Sequence, residues 1–193
     1  ARRRADPLIP RMPDRALEAW GWDGGWDAML AEHGGEGVEP ARVSSQDRDR
    51  WTVRTAAGAR PARLASARRV EPYPAVGDWV LVEPGPSPSD PLSIAAVLPR
   101  RSHFTRGAAA GAGAQSVAAN VDRVWIVHGL DIPPNLRKLE RYLALAWESG
   151  AVPDVVLTKS DLAADAAGMV AEVETVAVGA AVWRVSAVDG TGV

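Results

Sequence analysis

Two short polar segments, each directly after an apolar run, carry the side chains best suited to bind a ligand. They comprise Thr158, Lys159, Ser160 and Asp161 after the run 155–157, and Ser186 and Ala187 after the run 182–185. One carboxylate can accept hydrogen bonds from both N1–H and the N2 amino group of guanine, and such charge-assisted pairs are strong. Asp161 is the candidate acceptor, the backbone N–H of Ala187 suits guanine O6, and the methylenes of Lys159 can lie over the base. Adenine would turn an acceptor toward the carboxylate, so the segments predict selective guanine binding.

The order of apolar segments predicts how the two polar segments come together. Apolar runs at 124–127, 155–157 and 182–185 alternate with two helical patterns, one beginning after a candidate N-cap at Asn135 and one spanning 163–178. This alternation predicts right-handed crossovers and a parallel, doubly wound sheet with strands buried on both faces. Ligands of such sheets bind outside the carboxyl ends of the strands, which is where both polar segments lie.

Each of these residues also has a structural alternative. Asp161 can cap the helix that follows, Ser186 can be a turn residue at a strand end, and Lys159 can be an ordinary surface charge. Of the 22 basic residues, 20 are Arg and only two are Lys, which makes the choice of Lys159 informative. The occurrence of both segments, one strand–helix unit apart, favours the ligand-binding interpretation.

Residues 37–105 have the pattern of a small β-barrel. Apolar and polar residues alternate at 41–44 and 51–55, a turn follows at 56–58, and further strand-like runs extend to residue 98. About five short strands in a segment of this length are typical of the OB-fold.

The barrel segment is also strongly basic. Residues 41–70 contain eight Arg and two Asp, a local balance of 8 − 2 = +6. A basic face of this kind predicts RNA binding, with five candidate contact residues: Arg42, Arg48, Arg50, Arg54 and Arg63. Trp51 and Trp79 are the candidate base-stacking residues. The alternative is a solvated arginine surface with both tryptophans in the core.

Two further segments separate these regions. Residues 1–36 have the pattern of a basic leader followed by a helix broken at glycines, and their tryptophans either pack against the barrel or form a stacking platform. Residues 106–119 are rich in Gly and Ala, which predicts a flexible linker. Residues 120–193 then form the α/β region.

Composition excludes several classes of protein. The 193 residues have a net charge of −2 and no Cys, so disulfides and thiolate zinc sites within them are excluded. No apolar run approaches the ~20 residues of a membrane span, and no secretory signal is visible, so we expect a cytoplasmic protein. A Gly-x-x-x-x-Gly-Lys-Ser/Thr loop is absent, so no segment is suited to cradle phosphates, and we expect no GTP hydrolysis by these residues alone.

Seven sequence blocks, in order, resemble the RsgA (YjeQ) family of circularly permuted GTPases that act in maturation of the small ribosomal subunit. The blocks are 74–80 (Pro-Ala-Val-Gly-Asp-Trp-Val), 98–102 (Leu-Pro-Arg-Arg-Ser), 118–122 (Ala-Ala-Asn-Val-Asp), 139–143 (Leu-Glu-Arg-Tyr-Leu), 149–151 (Ser-Gly-Ala), 157–162 (Leu-Thr-Lys-Ser-Asp-Leu) and 185–187 (Val-Ser-Ala). The resemblance covers residues 17–193 and corresponds to the N-terminal portion of the family.

The resemblance implies an OB-fold barrel, then a P-loop-type GTPase domain whose guanine motifs precede its phosphate-binding loop, then a zinc-binding domain beyond Val193. It implies GTP or GDP with Mg²⁺ as ligands of the complete protein, and the small ribosomal subunit and its rRNA as partners. The guanine roles transfer to Thr158, Lys159, Asp161, Ser186 and Ala187, with Thr158 where many GTPases have Asn.

These features lead to three competing expectations. The first is a monomeric GTPase of which these residues are one part, with no catalytic or metal-binding residue among them. The second is an RNA-binding OB-fold module whose α/β partner is degenerate and not catalytic. The third is a structural α/β domain in which the motif matches arise by chance.

Overall fold

The computed structural model describes residues 15–65, 70–106 and 115–193. The chain divides into two compact units, one ending at Asn120 and one beginning at Val121. Each unit has an apolar core of its own.

A closed five-stranded barrel forms the centre of the first unit. Its strands are β1 (Glu39–Asp47), β2 (Arg50–Thr55), β3 (Gly58–Leu64), β4 (Trp79–Glu83) and β5 (Leu92–Val97). The order is β1-β2-β3-β5-β4, with β1 closing against β4 and a single parallel pair between β3 and β5. Alternate residues such as Val43, Val53 and Val80 point inward and fill the barrel. The predicted five-stranded barrel is therefore confirmed, and its order fits the OB-fold.

A helical segment covers one end of the barrel. It consists of a 3₁₀ helix (Arg15–Trp20), a break at Gly21 with a positive φ of 87°, and helix α1 (Gly24–His33). The Asp23 side chain accepts hydrogen bonds from the backbone N–H groups of Gly25 and Trp26 and thereby caps α1. Trp22 packs edge-on against Trp79 of β4, with ring centroids 4.6 Å apart. The segment therefore packs against the barrel through a second apolar core.

The segment predicted to be a flexible linker, 106–119, is partly a strand. Gln115–Ala119 form β7, which pairs antiparallel with β6 (His103–Arg106), and Ala118 also bridges to Val76. The linker prediction is therefore wrong for Arg106 and for residues 115–119, because β6 and β7 pair with each other, which local composition does not reveal. Residues 107–114 of the predicted linker, like residues 1–14 of the predicted leader, lie outside the described residues.

The second unit is a three-stranded parallel sheet with two helices. Its elements are β8 (Arg123–Gly129), α2 (Leu136–Glu148), β9 (Val152–Thr158), a 3₁₀ turn (Ser160–Leu162), α3 (Ala166–Val176) and β10 (Ala181–Arg184). The strand order is β10-β9-β8, and both pairings are parallel, as the alternation predicts. Asn135 caps α2 through its side chain, and Gly150 follows the helix with a φ of 88°.

The two faces of this sheet differ in cover. Helices α2 and α3 pack on the face that carries Ile126, Val155 and Val182. Trp125 and Trp183, which point to the opposite face, are 70% and 54% exposed. The prediction of strands buried on both faces is therefore wrong for β8 and β10, whereas the central strand β9 is largely buried on both. Continuous apolar runs in β8 and β10 were the basis of that prediction, but the two described helices cover only one side.

Candidate nucleotide site and arginine face

The carboxyl ends of β9 and β10 are joined by direct hydrogen bonds. The backbone N–H of Val185 donates to the carbonyl of Leu157, and the N–H of Ser160 donates to the carbonyl of Val185, at 2.9 and 3.2 Å. Lys159 adopts a left-handed conformation with a φ of 56°, which turns the chain sharply after β9. Both predicted polar segments therefore lie side by side at one edge of the sheet.

A side-chain hydrogen bond ties the two segments together. The Ser186 hydroxyl donates to Asp161 Oδ1 at 2.6 Å. Ser186 is fully buried, and its hydroxyl oxygen also accepts from the backbone N–H groups of Val188 and Asp189 at 3.2 and 3.3 Å. Asp161 itself is exposed. The carboxylate is thus held from behind while its remaining acceptor positions are accessible.

The structural alternatives for Asp161 and Ser186 can be compared with the observed contacts. Helix α3 is capped by Asp165, whose side chain accepts from the backbone N–H of Gly168, so Asp161 is not its cap. Ser186 is a turn residue and an Asp161 partner at the same time. The Thr158 hydroxyl donates to the carbonyl of His128 at 3.4 Å and so links the ends of β9 and β8. Ala187 is exposed beside these groups.

Asp131 is a member of this edge that the sequence predictions missed. The Lys159 ammonium donates to Asp131 Oδ2 at 2.8 Å, and this hydrogen bond lowers the pKa of the Asp131 carboxyl below its usual value. Gly129 makes the approach possible, because a Cβ there would lie 2.4 Å from Asp131 Oδ1. Inspection of the residues after β8, and not only those after β9 and β10, would have identified Asp131.

The five arginines predicted to bind RNA fall into two environments on the barrel. Arg48, Arg50 and Arg63 are exposed. Arg42 and Arg54 are only half-buried, but they contact the N-terminal helical segment. The structure therefore brings three of the five to the open surface and places the other two beneath a covering segment.

The contacts of Arg42 and Arg54 are specific. Arg42 donates to the backbone carbonyls of Trp20 and Asn120, the latter at 2.9 Å, and its guanidinium lies 5.5 Å from the Trp79 ring centroid. The Arg54 guanidinium lies 4.7 Å from the ring centroid of Trp20. Both side chains therefore contribute to packing within the first unit.

The predicted base-stacking role of Trp51 and Trp79 is wrong. Trp51 is 2% exposed and Trp79 is fully buried, because β2 and β4 turn these residues into the two apolar cores of the first unit. Trp51 also donates from its indole N–H to the carbonyl of Pro74 at 3.2 Å. Trp20, by contrast, is 39% exposed.

The described residues hold neither a metal-binding cluster nor a membrane-spanning helix. No cluster of three or more His, Cys, Asp or Glu side chains suited to a metal ion occurs in ranges 15–65, 70–106 and 115–193. Over the same part of the chain, every helix is too short or too polar to cross a membrane.

The first unit is thus an OB-type barrel, and the second is a parallel α/β unit whose polar side chains are joined at the carboxyl edge of the sheet. The description "RsgA GTPase" belongs to the family model that matches residues 97–193. The chain belongs to this family, as the resemblance of the seven sequence blocks predicts.

Individual relatives agree with this assignment. "Small ribosomal subunit biogenesis GTPase RsgA" of Streptomyces coelicolor is 43% identical over 92% of this chain and 49% of its own length. The protein of the same name from Opitutus terrae is 41% identical over 92% of this chain and 52% of its own length. The crystal structure of YjeQ from Thermotoga maritima shares the fold, with a TM-score of 0.63 and 24% identity over 80% of this chain and 54% of that chain. The chain thus spans about half the length of the relatives it matches.

Proposed function

We propose that this chain is the guanine-recognising and RNA-binding part of a GTPase that acts in biogenesis of the small ribosomal subunit. The observation that carries the proposal is the hydrogen bond between Ser186 and Asp161, which joins the loops after two parallel strands and leaves the carboxylate accessible. The printed names of the relatives supply the biological setting.

Guanine selectivity follows from the chemistry of this edge. The Asp161 carboxylate would accept from the two adjacent donors of guanine, and the N–H of Ala187 would donate to O6. The Lys159 methylenes would lie along the base while its ammonium stays near Asp131. Thr158 and Ser160 hold the backbone of the loop rather than the base, since their contacts are to neighbouring strand ends.

Hydrolysis requires groups that these residues do not contain. Phosphoryl transfer depends on phosphate and Mg²⁺ contacts, and no phosphate-binding loop occurs in the sequence. We therefore propose a circularly permuted order, in which the guanine motifs come first and the phosphate-binding loop follows Val193. The zinc-binding domain that the family resemblance implies would lie further on.

RNA binding is assigned to the barrel. Arg48, Arg50 and Arg63 are exposed on a unit whose fold commonly binds single-stranded nucleic acid. The proposed partner is the RNA of the small ribosomal subunit, bound by a cytoplasmic monomer.

The coding sequence beyond Val193 tests the permuted order. A Gly-rich loop ending in Lys-Ser or Lys-Thr within a few dozen codons supports the GTPase proposal, whereas a stop codon there favours an RNA-binding module with a degenerate α/β partner. Phosphate release from GTP by the purified 193-residue chain is expected to equal the buffer control. Turnover above that control would overturn the proposed motif order.

A further inference from the structure

Trp20 is an exposed aromatic side chain that is nevertheless fixed in position. Its neighbours Leu17 and Trp22 are anchored in the apolar core, with exposed fractions of 1% and 5%. The Trp20 backbone carbonyl accepts a hydrogen bond from Arg42. Trp20 is therefore 39% exposed although the segment that carries it is packed against the barrel.

The guanidinium of Arg54 stacks against the Trp20 indole. Arg54 lies 4.7 Å from the Trp20 ring centroid, and its buried Nε has no hydrogen-bond partner among the residues that the structure describes. Stacking on the indole is therefore what positions this guanidinium. Arg54 thus covers one face of the indole, while 39% of the residue's surface is exposed.

Arginines continue outward from this stack along β2. Arg54 lies opposite Arg42 on β1, and Arg50 lies four residues before Arg54, on the same side of β2. Arg50 and Arg63 flank the Trp51–Ala62 pair of β2 and β3. Like charges on neighbouring strands repel each other. An anionic chain that lies across these arginines would therefore reduce their repulsion. Asp47, opposite Arg50, is the acidic residue in register with this row.

We infer that Trp20, stacked on Arg54, is the platform on which this barrel binds an unpaired RNA base, with the phosphates on Arg50 and Arg63. The inference rests on the proposed RNA-binding function and names the residue that reads an unpaired base. A fixed indole with one face on a guanidinium loses little freedom when a base stacks on it. Base–aromatic stacking is tolerant of sequence but requires that the base is unstacked, so the platform selects single strands.

An unpaired base explains the site better than an acidic protein segment does. Carboxylates of a peptide would satisfy the arginines equally well, but they would leave the exposed indole without a flat partner. A nucleotide supplies both a phosphate for the guanidinium groups and an aromatic face for Trp20. The base, rather than the charge, is therefore the quantity that the experiment must vary.

The test compares two probes of equal charge on the 193-residue chain. One is a single-stranded uridine oligomer of about eight nucleotides, a length within the range of OB-fold sites, and the other is its abasic counterpart. We expect the wild-type chain to prefer the uridine oligomer by about fivefold to tenfold. Trp20→Leu, which keeps an apolar cover on Arg54, is expected to abolish that preference, and Trp20→Phe to restore part of it. The salt dependence, which reports phosphate contacts, should stay unchanged in both variants.

A matched control is available in Trp147 on α2, which is 43% exposed. Trp147→Leu should leave both affinities unchanged. If the wild-type chain binds both oligomers in a salt-dependent way but the preference for bases survives Trp20→Leu, the platform is wrong while RNA binding by the barrel stands. If the wild-type chain binds neither oligomer at low salt, the RNA-binding proposal fails as well. Binding of a polyglutamate peptide as tight as that of the uridine oligomer, and insensitive to Trp20→Leu, would also overturn the platform.

Discussion

The carboxyl edge of the sheet and the arginine face of the barrel present charge in opposite ways. The arginine face consists of Arg42, Arg48, Arg50, Arg54 and Arg63. At the edge, unlike groups pair with one another: Ser186 with Asp161, and Lys159 with Asp131. On the barrel, like charges stand side by side, as Arg42 and Arg54 do across β1 and β2. The edge is therefore preorganised before a ligand arrives, whereas the exposed arginines of the barrel, with Asp47 opposite Arg50, keep an excess of positive charge that an anion can neutralise. Selectivity is expected from the first region and salt-dependent affinity from the second.

The largest effect is expected at Asp161, in the protein encoded by the complete coding sequence. Asp161→Asn should weaken GTP binding by about 10²–10⁴-fold, because the amide presents a donor where guanine requires two acceptors. Titrations with GTP and ATP measure both the loss and the change in base preference. Asp165→Asn is the matched control, since Asn caps a helix as well as Asp does and Asp165 caps α3.

The GTP affinity of Asp161→Asn can also contradict the assignment of Asp161 to guanine recognition. Equal GTP affinity in wild type and Asp161→Asn would mean that Asp161 serves only to hold the loop through Ser186. The edge would then be a structural junction, and the contrast between a selective edge and a nonselective arginine face would disappear.

The edge could be predicted from the sequence because of a geometric rule. Residues after parallel strands share one edge whatever packs elsewhere, so the positions of Thr158, Asp161 and Ser186 followed from finding the strands. The same rule applies to Asp131, which comes two residues after β8 and is missed when only the residues after β9 and β10 are considered. The rule predicts that these residues lie close to one another. Their hydrogen bonds are seen only in the structure.

On the arginine face of the barrel, the sequence pattern predicts the strands but not the segment that covers them. Alternation correctly gave the strands, and it placed Arg42 and Arg54 on their outer face. What covers that face depends on Trp20, more than thirty residues earlier than Arg54 in the chain, and no local pattern encodes that contact. The pairing of β7 with β6 was missed for the same reason.

The second-largest effect is expected on stability, where covered and exposed arginines of the barrel should differ. Arg42→Ala should lower the free energy of unfolding by about 2 kcal/mol, because it removes charge-assisted hydrogen bonds to the carbonyls of Trp20 and Asn120. Arg63→Ala, at an exposed position on β3, should change it by no more than about 0.5 kcal/mol. Urea unfolding of the 193-residue chain compares the two. Equal losses would show that the covered and open arginines are not distinct classes.

The contribution of the exposed arginines to RNA binding is measured by the salt dependence of the affinity. The triple change Arg48→Ala, Arg50→Ala and Arg63→Ala should make the slope of log affinity against log salt shallower by about 2, at ~0.7 for each phosphate contact to a single strand. An unchanged slope would remove these three residues from the interface and leave them as a solvated surface.

The smallest effect concerns the segment that carries Trp20. Asp23 caps α1 and accepts two hydrogen bonds from Arg101, at 2.5 and 2.6 Å, and these bonds lower the pKa of Asp23 to about 2. A carboxyl whose folded pKa lies below its unfolded value of 3.8 stabilises the fold above that value and loses this contribution as the pH falls toward 2. Since both side chains are substantially exposed, we expect a loss of about 1 kcal/mol. Asp23→Asn keeps the cap and removes the titration, so unfolding of this variant between pH 4 and pH 2 should lack the Asp23 component. An identical pH dependence in wild type and variant would show that the Asp23–Arg101 pair does not secure the segment over the arginine face.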